Sequence, residues 1–300
     1  MSKRWIDWVL TAGGLAFAFL FLVTGGTAFA GIANTKHNLG STNNQSSNSV
    51  SDTAEICVFC HTPHGADVSN PQANPPLWNK RLSTGATYQT YDQLGTSTLD
   101  GGVLGVGSVS VACLSCHDGT QAMDNIINAP GSGGYDPTGG GTNGLAYTWT
   151  GATVTAEGLM TNPAVGFNIA LIGTDLRNDH PIGVEYCGGG LTGAGNAVSG
   201  TCRDGDFVAP NTNTINTQQV FWVETNADST RQRSDMILYT RDFTSVGGSA
   251  TGASVECASC HDPHVENGQA APVAGAPPAG QTFLRISNAG SAVCLACHVK

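Results

Sequence analysis

A mostly irregular chain, with short helices at four repeated motifs and a few short β-strands or hairpins in its middle, is the fold class that the sequence predicts, on three observations. The first is a pattern: CxxCH occurs at Cys57–His61, Cys113–His117, Cys257–His261 and Cys294–His298. Two thiols on one turn with an imidazole directly after them read as a covalent haem c attachment site. Cys57, Cys60, Cys113, Cys116, Cys257, Cys260, Cys294 and Cys297 would then bind four haems, with His61, His117, His261 and His298 as proximal iron ligands. Zinc knuckles or thioredoxin-like CxxC pairs leave the histidine after every second cysteine unexplained. The second observation is composition: 40 glycines in 300 residues, 40% hydrophobic and 11% charged residues. So few core formers predict that the four haems form the core. The third is a count: of eight histidines, the motifs use four, and His37, His64, His180 and His264 remain for four distal positions. Every iron is then bis-histidine, with no coordination position open to substrate.

Taken in order, residues 1–30 read as an export signal: Lys3 and Arg4, an apolar run from about Val9 to Val23, and small residues ending at Ala30. An uncleaved membrane anchor is the alternative. Residues 31–56, rich in Asn, Ser, Thr and Gly, read as an extended arm without a core of its own, carrying His37. Residues 57–118 hold the first haem doublet, with a loop through Pro71, Pro75, Pro76 and Trp78. Residues 119–255 form a Gly-rich insert, in which alternation predicts strands at Leu145–Val154, Gln219–Glu224 and Met236–Phe243, the last pairing with Ser254–Glu256. Cys187 and Cys202, the two cysteines outside the motifs, are expected to form a disulfide. Residues 256–300 hold the second doublet, interrupted by a Pro/Gly/Ala-rich loop at Gln269–Gly280.

The motifs repeat as a pair. His61 is followed by Thr62-Pro63-His64 and His261 by Asp262-Pro263-His264, whereas the second and fourth motifs lack this extension. Tethered beneath their own rings, His64 and His264 are expected to serve the other haem of their doublets, on Cys113/Cys116 and Cys294/Cys297. His180, extended before Pro181, is expected on the first or third haem. His37 is left to fold back in its own chain or to reach a neighbouring molecule.

The CxxCH-x-PH and CxxCH doublet resembles the doubled-CXXCH class of multihaem cytochromes c. NTKHNLG around His37, CVFCHTPH, PLWNK, NDHPIG around His180 and VECASCHDPH resemble the tetrahaem extracellular cytochromes of the outer-membrane cytochrome E kind, from metal-reducing bacteria. That resemblance implies a filament whose haems form one chain, with His37 as the candidate ligand to a haem of the next subunit. It implies upstream donor cytochromes and an extracellular electron acceptor as partners, and a secreted or cell-surface location. A monomeric periplasmic electron shuttle and a multihaem reductase are the alternatives; the histidine count speaks against an enzyme. The formal charge of −10 makes nucleic acid an unsuitable partner.

Overall fold

The computed structural model describes residues 31–299 apart from 46, 69–74, 83–87, 132, 137–143, 195–196, 200–201 and 265–282. The expected export signal, part of the loop after the first motif, the 139–141 glycine cluster and the 269–280 loop lie outside the described residues.

An antiparallel sheet of five strands organises the second half of the chain. It comprises β3 (Val184–Glu185), β6 (Asn211–Ile215), β7 (Gln218–Val223), β8 (Met236–Arg241) and β9 (Gly252–Val255), in the order β3-β9-β8-β7-β6. Two further pairs are β1 (Ser49–Val50) with β2 (Trp149–Thr150), and β4 (Thr192–Ala194) with β5 (Ala197–Ser199). β6 and β7 join through Asn216 and Thr217, both at positive φ, which matches a two-residue turn to the twist of its strands. Alternation along QQVFWV puts Phe221 and Val223 on one face, where they meet Met236 and Leu238 of β8 and Ala253 of β9. Tyr186 and Leu191 close this core, and the Cys187–Cys202 disulfide, with Cα atoms 5.2 Å apart, pins its margin. Closing a loop of 15 residues contributes about 3 kcal/mol in the chain-entropy account.

The sheet corrects the fold expected from composition. The protein is not mostly irregular around a core of four porphyrins: it is a sheet protein with few helices and a side-chain core of its own. Among the described residues, no group of three or more His, Cys, Asp or Glu is placed to hold a metal ion. The average misled because the apolar residues are concentrated locally: β7, β8 and β9 supply five of the eight buried residues of the cluster on the sheet, and the glycines lie largely elsewhere. The arm is corrected as well. Thr35, Asn38 and Val50 are buried, Asn43 Nδ2 donates to Asn38 O and Ser47 Oγ, and β1 pairs with β2. Side-chain amides thus do for this segment what an apolar core does elsewhere.

Three short α-helices carry motifs: α1 (Ser108–His117), α2 (Cys257–Cys260) and α3 (Ala292–Cys297). The first motif sits on a 3-10 turn at Cys57–Phe59.

Candidate functional site

Each motif is seated by a different neighbour. Asn79 clamps the first: its N–H donates to Cys60 O at 2.9 Å, and its side-chain amide donates to Val58 O at 2.6 Å and Asn128 O at 3.0 Å. Phe59 is buried against Tyr147 and Trp149. Beside it the Lys80 ammonium is buried on the carbonyls of Ala122 and Met123. The fourth motif is tied down where Val208 N–H donates to Cys297 O and Phe207 bridges His298.

Motifs two and three, which the sequence assigns to different doublets, are neighbours. Glu256, the residue before Cys257, has a fully buried side chain that accepts from Ser110 Oγ of α1 at 2.5 Å, from Ser254 Oγ at 2.8 Å and from Arg241 Nη1 at 3.1 Å. It also caps α2 in a reciprocal box with Ser259. The Cys257 N–H donates to Ser110 Oγ, and the Cys113 thiol donates to Cys257, which raises the first pKa and lowers the second. Burial pushes the thiols of Cys60 and Cys297 up to about 12. These two are neutral near pH 7.

The histidines form pairs. His61 and His264 have ring centroids 6.1 Å apart and nearly parallel planes, at 13°. His37 and His117 are also 6.1 Å apart, at 62°. A metal ion bonded at about 2 Å by one nitrogen of each of two imidazoles on opposite sides separates their centroids by about 6 Å. A haem iron takes only two ligands from protein, so pairs are the arrangement that suits it. The tautomers suit it too. Nδ1 lies 2.7 Å from Pro76 O in His61, 2.7 Å from Ala170 O in His117, 2.9 Å from Pro263 O in His37, 3.0 Å from Pro181 O in His180 and 3.2 Å from Asp262 Oδ1 in His264. A neutral imidazole that donates Nδ1–H to oxygen carries its lone pair on Nε2, the atom left for a metal.

The pairing is not the one expected from tethering. His264 lies beside His61 of the first motif rather than serving its own doublet, and His37 lies beside His117 in its own chain, its ring stacked 4.0 Å from Phe283. His180 lies within electrostatic reach of His298 of the fourth motif, whose charge adds to the lowering of its pKa, whereas the sequence predicts it on the first or third haem. His64 is exposed; its carbonyl accepts from Thr62 Oγ1 and Asn128 Nδ2, and no second ring is paired with it among the described residues. His261 is exposed and bridges Leu284. Asn79, Lys80, Glu256 and Arg241 escaped the sequence reading as positioning residues, although Asn79, Lys80 and Glu256 stand inside PLWNK and VECASCHDPH.

Burial first, and then the neighbouring charge of His117, lowers His37 from 6.5 to about 4; burial likewise lowers His117 and His180. A folded-state pKa below the unfolded one means that the unfolded chain binds more protons, so this contribution to stability is lost as pH falls. In the haem-free chain, urea midpoints are expected to fall between pH 6.5 and about 4, with a shallower slope in His37→Ala. A midpoint that rises on acidification through this window contradicts the assignment.

The chain matches no protein-family model and no curated protein.

Proposed function

We propose that the chain is an exported tetrahaem cytochrome c that carries electrons through bis-histidine haems, and that it is not an enzyme. The observation that carries this reading is the pair of histidine couples at 6.1 Å, each joining a CxxCH histidine to one outside the motifs. Haem held there supplies one-electron chemistry. The chain's part is to attach, orient and insulate: eight thiols at four motifs, and carbonyls that hold Nδ1 of His61, His117, His37 and His180 in place.

The proposal extends to self-assembly into an extracellular filament, with donor cytochromes upstream and an extracellular acceptor. Two observations support it. Val165, Phe167 and Ile169 are 92%, 79% and 77% exposed on alternate residues of a segment whose next residue, Ala170, holds His117. Apolar side chains so exposed favour contact with another protein surface. With His37 beside His117, the candidate imidazole for reaching a neighbouring copy becomes His64, which is exposed and has no paired ring among the described residues. The periplasmic monomer remains the second reading, because a His37 that serves its own chain suits a self-contained molecule. Electron microscopy of the secreted fraction separates the two: fibres support the first, and single particles at high concentration the second.

Thiol counting tests the cofactor. Of ten cysteines, eight belong to the motifs and two to the disulfide. The mature protein, denatured without reductant, is expected to give no alkylated cysteine; after reduction it gives two, Cys187 and Cys202, and the pyridine haemochromogen assay reads four haems per chain. Eight thiols alkylated before reduction, in colourless protein, would remove the reading.

A further inference from the structure

Three arginines meet at one cavity outside the histidine pairs. The chain has only 12 Lys and Arg against 22 Asp and Glu, yet Arg231, Arg233 and Arg285 line one cavity of about 300 Å³ with Gln232, Ile237 and Tyr239. Arg285 is locked in the wall. Its Nε and Nη2 donate to Ala258 O at 3.1 and 2.9 Å, and its Nη1 to Arg233 O at 2.8 Å. These acceptors are carbonyls, so they orient the guanidinium without neutralising it. Burial, with the charge of Arg231, lowers the Arg285 pKa, although Tyr239 and Asp262 act to raise it.

Asp262 supplies part of the counter-charge to this cluster. Asp262 Oδ2 is 4.0 Å from Arg233 Nη1, and its other oxygen takes His264. Asp228 accepts from Thr230 N–H and Gln232 Nε2, and Asp235 from Gln232 N–H and Thr225. Glu256 holds Arg241. Arg231 and Arg233 are exposed and line a concave, solvent-reached space beside the third motif.

We propose that this cavity is an oxyanion site for a carboxylate or phosphate group. Arg285 supplies a fixed charge, and Arg231 and Arg233 close on the anion as forked donors. Two sources offer that chemistry. One is a propionate of a haem held at an adjoining motif, which rests on the tetrahaem reading. The other is a free anion, which does not.

The test uses the mature protein as isolated, in a low-salt chloride buffer. Inorganic phosphate is titrated calorimetrically into wild type, Arg231→Gln/Arg233→Gln and Arg177→Gln, an exposed arginine paired with Asp175; redox titrations are run on the same samples. A free-anion site predicts saturable 1:1 binding that the double variant weakens about tenfold or more and Arg177→Gln leaves intact. A propionate in the cavity predicts no phosphate binding, and a fall in the midpoint potential of one haem step in the double variant beyond any change in Arg177→Gln. No saturable binding, together with superimposable redox curves for the two variants, overturns the proposal. Should the double variant fail to fold, Arg231→Gln alone supplies the comparison. If the sample holds no haem, the tetrahaem reading fails by that count, and the calorimetry alone decides the site.

Discussion

Glu256→Leu is expected to destabilise the fold by about 3–5 kcal/mol, the range for removing one partner of a buried ion pair. Its carboxylate and the Arg241 guanidinium are both buried, and Arg241 Nη2 is also held by Gly105 O. Without Glu256 the guanidinium keeps its charge but loses its counter-ion, Ser110 and Ser254 lose their acceptor, and α2 loses its cap. The double variant Arg241→Met/Glu256→Leu removes both charges and is expected to recover much of the loss. Urea unfolding of the four proteins in this cycle checks the claim. A single variant within about 1 kcal/mol of wild type, well below that range, or a double variant no better than the single, would show that the pair does not hold motifs two and three together.

His264→Ala carries the largest expected spectroscopic effect. It removes the outside member of the His61 pair, and the tetrahaem reading then predicts four haems still attached through the cysteines, with one in four converted from low to high spin. The converted haem should be that of Cys57 and Cys60; tethering alone would have chosen Cys294 and Cys297. Variants pairing His264→Ala with His61→Ala or His298→Ala locate it: only the first pair should leave the high-spin fraction confined to one haem. On that reading the same substitution should lower stability, because a His61–iron–His264 link would close a loop of about 200 residues, and links across even about 100 residues contribute about 4 kcal/mol or more. A chain that keeps four low-spin haems without His264 sinks the pairing.

The core residues show how far local pattern reaches. Gln218–Val223 and Met236–Arg241 are strands where alternation places them, and β8 pairs with Gly252–Val255. Alternation within six residues reports which face is buried, so those elements are legible one at a time. It carries no information on the partner of β9 on its other edge, which is β3, nearly seventy residues earlier. Composition failed for a related reason: it averages over the chain, whereas a core needs only a few dense segments brought together. The Glu256–Arg241 pair was illegible because a charged residue in a sequence predicts exposure, and only burial from several elements reverses that.

By itself the sequence determined the chemistry that depends on residues close together: the four CxxCH motifs, their histidines at the ends of short turns, and the two cysteines left to join each other. Only the tertiary structure decided what depends on residues far apart, namely that a sheet and not a set of porphyrins supplies the core, that motifs two and three adjoin, and that His61 meets His264 while His37 meets His117. The physical reason is that a turn or a strand is set by the conformations of a few neighbouring residues. The meeting of distant imidazoles is set by sheet order and buried polar contacts, whose partners are chosen from the whole chain.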